Sequence, residues 1–229
     1  MQRAINNERR VTAAMEDYLK AIYLLQRQGQ KVSTSSLAEQ LGGLRPGSVT
    51  PMVKKLAKYG LVEHTPYYGV VLTASGERIA LEVIRHHRLI ELYLVQVLGY
   101  RWDEVHEDAD ALEHVISEKL EAQIAAQLNH PTLDPHGDPI PTLDGIMPDS
   151  SQLCIADLDP GHTGVVARVG EQQADRLRYL AELGLVPGAR VALVARAPFD
   201  GPLTVQIDGA PHVLDQRLAR TIFVQQEPT

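Results

Sequence analysis

A chain of 229 residues with 44% hydrophobic and 22% charged residues has room for one or two domains with a buried core, which excludes disordered and collagen-like classes. No uncharged apolar run reaches the roughly 18 residues of a membrane span, the stretch from Met1 to Glu8 lacks the apolar core of a signal peptide, and a single cysteine, Cys154, excludes an internal disulfide or a thiolate cluster, so a cytoplasmic protein is expected. The net charge of −7 is unevenly spread: residues 1–60 carry ten Lys or Arg against four Asp or Glu, residues 61–130 five against twelve, and residues 131–229 seven against thirteen. A basic first quarter before an acidic remainder is the electrostatic outline of a small nucleic-acid reader joined to something else.

In chain order, Met15, Leu19, Ile22 and Tyr23 recur at three- and four-residue spacing and predict an amphipathic helix over 11–28 that ends before Gly29. The run from Ser33 to Ser36 offers caps for a short helix over 35–41, stopped by Gly42 and Gly43. A third helix begins near Pro46 or Ser48 and carries Val49, Met52, Val53, Leu56 and Tyr59 until Gly60, with Pro51 expected in its first turn. The period then changes, and residues 61–64 and 70–73 read as two strands of a hairpin around 65–69. Three helices and a hairpin make a winged helix-turn-helix.

Two long helices follow over 74–98 and 103–128, each apolar on one face and charged on the other, which suits a helical dimer seam. The Pro-rich stretch 130–141 and the segment from Pro148 to Ser151 read as a break between domains. Beyond it, short β-type runs at 163–169, 190–195, 203–207, 212–214 and 222–225, with only 175–183 helical, point to a small SH3-type β-barrel. The expected architecture is mainly α with small β: a winged helix-turn-helix DNA-binding domain at 1–73, a helical dimerisation and metal-binding domain at 74–147 and an SH3-like domain at 148–229.

In a helix-turn-helix the second helix enters the major groove by its N-terminal residues. Arg45, Ser48, Thr50, Pro51, Lys54 and Lys55 are therefore expected at DNA bases and phosphates, with Lys58 adding backbone charge and Tyr67 and Tyr68 at the tip of the wing. On the long helices, His87 and Glu91 are four apart, and His106, Asp110, Glu113 and His114 follow at spacings of four, three and one. Such spacings put side chains on one helical face. Imidazoles and carboxylates without thiolates suit Mn²⁺ or Fe²⁺. His86 is expected to point away to solvent, and His130 and His136 to sit in the linker outside the ligand set.

The chain resembles the diphtheria toxin repressor family of metal-dependent transcriptional repressors, including its manganese-responsive branch. The resemblance spans nearly the whole chain and rests on Met15 to Tyr23, on Gly47 to Thr50 with Met52 and Val53, on Leu72 to Gly76, on Arg85 to Glu91, and on Val105-His106 with Glu113-His114. It implies a homodimer on an inverted-repeat double-stranded DNA operator, controlling metal-uptake genes, with no membrane, no small-molecule substrate and no enzymatic activity. It also implies two metal sites: His87, Glu91 and His106 in one, Asp17, Asp110, Glu113 and His114 in the other, with Glu171, Gln173 and Asp175 as candidate ligands from the C-terminal domain. Asp17 and Asp110 replace the Met and Cys of iron-type members and argue for Mn²⁺ over Fe²⁺, with Co²⁺, Ni²⁺, Cd²⁺ or Zn²⁺ as substitutes in vitro. Lys20 stands where manganese-type members carry a further acidic ligand. Two other readings compete. A winged-helix regulator of a small organic ligand would bind DNA regardless of chelators, and a metallohydrolase would need a general base and cleft that the sequence does not offer.

Overall fold

The computed structural model describes residues 11–29, 31–65, 69–150 and 153–226. The chain divides into two compact units, residues 1–86 with 141–146, and residues 87–140 with 147–229. Among the described residues, no helix is long and apolar enough to cross a membrane.

The first unit contains α1 (Ala13–Arg27), α2 (Thr34–Gln40), α3 (Pro46–Lys58), β1 (Val62–Thr65) and β2 (Gly69–Leu72). The expected apolar spacing buries Met15, Leu19 and Ile22 on α1, Leu37 on α2, and Val49, Val53 and Leu56 on α3. Helix α2 starts at Thr34 because Ser33 takes the cap: its hydroxyl accepts the Ser36 N–H, while the Ser36 hydroxyl accepts the Ser33 N–H. Gly42 and Gly43, both at φ +79°, then turn the chain into α3. Pro51 lies inside α3 rather than in its first turn. The Gly47 carbonyl thus lacks its helical donor, a loss that exposed Gly47 leaves to water. The wing is antiparallel, pairing Val62 with Leu72 through Thr65 with Gly69. It is tied back by Val70 N–H donating to the Val32 carbonyl at 3.0 Å and Leu72 N–H to Gln26 Oε1 at 3.1 Å. Its tip, with Tyr67 and Tyr68, lies outside the described residues.

Helix α4 (Ala74–Gln96) is the first long helix, in which the two units part. Its middle is not apolar on one face only: Leu89, Ile90, Glu91 and Leu92 are all buried, so the helix is enclosed around its circumference there. The second long helix is two: α5 (His106–Leu112) and α6 (Glu118–Gln127). Ser117, whose hydroxyl accepts the Leu120 N–H, restarts the helix, and Ile116 in the break packs toward Ile90, Leu94, Val105 and Ala109. Ile124, Ala125 and Leu128 of α6 close a second cluster with Leu89, Leu92 and Ile140. Segment 130–141 has no helix or strand beyond one isolated bridge between Leu133 and Pro139. Far from a bare linker, it buries Asp134, His136 and Ile140.

The C-terminal part is a six-stranded antiparallel sheet in the order β3 (Leu153–Cys154), β8 (Ile222–Gln226), β4 (Thr163–Val169), β5 (Arg190–Arg196), β6 (Leu203–Ile207) and β7 (Ala210–Leu214). Bulges at Val166/Arg168 and Leu193/Ala195 bend it in SH3-like fashion around Val166, Leu193, Val205, Ile222 and Val224. Besides α7 (Ala174–Glu182), where the sequence shows helical periodicity, it holds a one-turn 3₁₀ helix at Ile155–Asp157 and α8 (Gln216–Ala219), both too short for a periodic signal.

Candidate metal centre and nucleic-acid interface

One turn of α4 separates His87 from Glu91, and one turn of α5 separates His106 from Asp110, so both pairs share a helical face. His87 Nε2 lies 3.0 Å from Glu91 Oε1 and 3.2 Å from His106 Nδ1. On the other edge of the ring, Nδ1 lies 2.5 Å from Glu113 Oε2 and 3.2 Å from Asp110 Oδ1. His106 closes the group, with Nδ1 3.4 Å from Glu91 Oε1 and Nε2 3.4 Å from Asp110 Oδ2. His87, Glu91 and Glu113 are buried, whereas the Asp110 side chain is half exposed, which leaves an approach from solvent. The helix break spares Glu113, because it caps α5 with helical dihedrals.

Burial opposes a charge on His87, but the Glu91 carboxylate and hydrogen bonds to Asp110 and Glu113 outweigh it and push the imidazole up to about 10. Burial would raise Glu91, yet His87, His106 and His136 hold it well below the ordinary carboxylate range. Carboxylates gathered in a buried site need a positive partner. The His87 imidazolium supplies it, and a divalent cation on the same oxygens would supply it with release of that proton. The donor set therefore fits a hard to borderline divalent metal.

Glu91 also faces a second group. Its Oε2 is 3.6 Å from His136 Nδ1, and Glu91, Asp134 and His136 each offer a ligand atom within 4.8 Å of the others, all three residues being buried. His136 Nε2–H donates to the Trp102 carbonyl at 2.9 Å. A carbonyl only accepts, so this bond leaves Nδ1 as the atom aimed at Glu91, the arrangement that orients metal-binding imidazoles. Asp134 Oδ1 accepts the N–H groups of His136 and Asp138 at 2.8 and 2.9 Å. Burial first, then Asp138 and Glu91, push the Asp134 carboxyl up to about 7 against the pull of Arg88.

Of the ligands expected from sequence, His87, Glu91, His106, Asp110 and Glu113 come together, and His114 Nε2 lies 3.4 Å from the other oxygen of Glu113. Asp110 thus keeps company with His87 and His106. Asp17 is half-buried on α1 in the first unit. The three C-terminal candidates have local partners or lie in solvent. Glu171 accepts the N–H groups of Gln172 and Gln173 and pairs with Arg176 at 2.8 Å. Burial would raise its carboxyl, but Arg176 and those amides hold it low. Gln173 is an exposed cap residue, and Asp175 is 95% exposed beside Arg178. Two expectations are corrected: His86 is buried, because the middle of α4 is enclosed on all sides, and His136 lies inside the site with Asp134. The signal for the last two was an Asp-x-His alternation before Gly137, which spacing rules for helices do not read.

At the N-cap of α3 Arg45 is exposed, and on the helix Ser48, Pro51, Lys54, Lys55 and Lys58 are exposed and Thr50 is half-buried, while Val49, Val53 and Leu56 face the core. A basic face lies open on the helix after the turn, as a major-groove reader requires.

Three family profiles match in chain order: "Iron dependent repressor, N-terminal DNA binding domain" over residues 10–70, "Iron dependent repressor, metal binding and dimerisation domain" over 73–142 and "FeoA domain" over 154–226. The chain is 34% identical over 224 residues to the iron-dependent repressor IdeR of Mycobacterium tuberculosis, covering 92% of this chain and 96% of that protein. A solved manganese-dependent transcriptional repressor in complex with manganese is 43% identical with a TM-score of 0.86, covering 93% of this chain and all of the other. The repressor ScaR with bound Cd²⁺ is 32% identical with a TM-score of 0.82, covering 93% and 99%. The chain belongs to the iron-dependent repressor family, that of diphtheria toxin repressor, whose members are metal-dependent DNA-binding transcriptional repressors and not enzymes.

Proposed function

We propose that this protein is a Mn²⁺-activated repressor, open also to Fe²⁺, whose homodimer binds an inverted-repeat operator in the cytoplasm and controls metal-uptake genes. The single observation that carries the metal assignment is the thiolate-free ring of Glu91, His106, Asp110 and Glu113 about His87. Oxygen and imidazole donors favour Mn²⁺ and Fe²⁺ over softer ions. One ion is assigned to this group and a second to Glu91, Asp134 and His136. The resemblance to the family further assigns Asp17 as a ligand with Asp110, Glu113 and His114, so that metal acts on the DNA-binding domain directly. Arg45, Ser48, Thr50, Pro51, Lys54 and Lys55 are assigned to DNA, and Tyr67 and Tyr68 of the wing to the flanking groove or phosphates.

Titration of Mn²⁺, of Fe²⁺ without oxygen, and of Zn²⁺ into apoprotein tests this reading, with stoichiometry read from free-ion electron paramagnetic resonance for Mn²⁺ and from chelator competition for the others. Two Mn²⁺ per chain in the micromolar range or tighter is expected. Failure to take up Mn²⁺ at millimolar concentration would refute it. No second reading is favoured by a specific observation.

A further inference from the structure

The SH3-like sheet meets the candidate metal centre through the loop that carries Asp134 and His136. The family resemblance implies acidic and amide side chains near the start of α7 as its contribution, yet Glu171 is engaged by Arg176 and two backbone amides, and Gln173 and Asp175 lie in solvent. Contact is made instead at the β4 bulge. Between Val166 and Arg168 the register with β8 shifts, which leaves Ala167 without a ladder partner. Gly137, at φ +85°, sits against that residue so closely that a Cβ would collide with the Ala167 carbonyl and lie 2.9 Å from Arg168 Cα. On one side of this contact the Val169 N–H donates to the His136 carbonyl at 2.8 Å. On the other, Arg168 lies over the Phe223 ring, 3.6 Å from its centroid, and reaches Asp138 Oδ1 at 3.3 Å. Arg88 of α4 comes to the same Asp138 oxygen at 3.5 Å and donates to the Pro139 carbonyl.

We propose that the β4 bulge is a positioning device for metal: it holds the loop from Asp134 to Pro139 so that Asp134 and His136 face Glu91, and the C-terminal domain acts on sensing through this backbone contact. Arg168 and Asp138 are positioning residues; neither touches the ion. Asp134 and His136 lie on a loop without periodic structure, and alone such a loop would sample many arrangements, each lost to binding. Three anchors remove that freedom: the Val169 amide, the Gly137–Ala167 contact and the two guanidiniums on Asp138.

This proposal rests on the assignment of a second ion to Glu91, Asp134 and His136, and its test separates the two. Mn²⁺ binding is measured on full-length wild type, Arg168→Met, Arg168→Lys, Gly137→Ala and Glu171→Gln, alongside hydrogen exchange of the Val169 amide in the metal-free proteins. Removing such outer supports weakens metal binding about 10- to 100-fold. The expected result is that loss in the second ion for Arg168→Met and Gly137→Ala, partial recovery with Arg168→Lys, an unchanged first ion, faster Val169 exchange in both weakened variants, and near wild-type behaviour for Glu171→Gln. Arg168→Met guards against misfolding of the glycine variant, since it adds no atoms at the contact. A second ion bound within twofold of wild type by Arg168→Met and Gly137→Ala overturns the proposal alone, as does its loss in Glu171→Gln with those two unaffected. Uptake of a single ion by wild type removes the two-ion reading itself and the proposal with it.

Discussion

His87 is the residue on which the charge of the centre turns. Its value near 10 lies above the unfolded 6.5, so its pairing with Glu91, Asp110 and Glu113 stabilises the metal-free fold fully below about pH 6.5 and fades as pH rises toward 10. Metal must displace that proton. Mn²⁺ affinity is therefore expected to rise by up to about tenfold per pH unit between pH 6.5 and 8.5, and calorimetry in buffers of different ionisation enthalpy should show a proton released. A pH-independent affinity would mean that His87 is already neutral. Glu113→Ala and Asp17→Ala should each abolish metal-dependent DNA binding and leave the dimer intact in sedimentation experiments; normal metal-gated binding by either variant removes that residue from the ligand set. The helical ligands were legible because an α-helix fixes the relation between residues four apart whatever surrounds it. Asp134 and His136 were not, since the path of an aperiodic segment is set by what it packs on, here Ala167 to Val169, far away in sequence.

At the scale of elements, α3 is assigned recognition and α4 and α5 most of the helical metal ligands, and each has a device that sequence reading could only half see. In α3, Arg45→Ala should weaken DNA binding at every metal concentration, and Lys54→Ala should lower affinity evenly across DNA sequences while reducing the salt slope by about one. A changed base preference in Lys54→Ala would show that it reads bases instead. The interruption after α5 is anchored by Ser117, whose hydroxyl caps α6. Ser117→Ala is expected to cost about 1 kcal/mol of stability in thermal unfolding without altering the number of metal ions bound. The periodic pattern of 103–128 continues through the break because Ile116 packs inward as a helical residue would, which hid the interruption from periodicity. The wing and the five longest strands of the sheet were legible from alternation and turn residues, while two-residue β3 and four-residue α8 were too short to leave a period.

The whole molecule comprises a basic winged helix, an acidic helical centre and an SH3-like sheet whose β4 strand holds the loop that carries Asp134 and His136. A ligand shifts a conformational equilibrium only by its difference in affinity for the two states. Moving a repressor from about 1% to 99% DNA-competent takes roughly 10⁴-fold tighter metal binding to that state, which the proposed pair of ions would divide between them. The asymmetry of charge along the chain announced this division of labour; the sharing of Glu91 did not show in sequence, because it depends on the tertiary course of residues 134–140. The most direct measurement is binding of the purified protein to its own upstream DNA and to metal-transporter promoters by fluorescence anisotropy, with Mn²⁺ or with chelator. Binding at least about a hundredfold tighter with Mn²⁺, reversed by chelator, is the expected result. Equal binding in chelator would contradict metal gating and leave a DNA-binding protein controlled by something else.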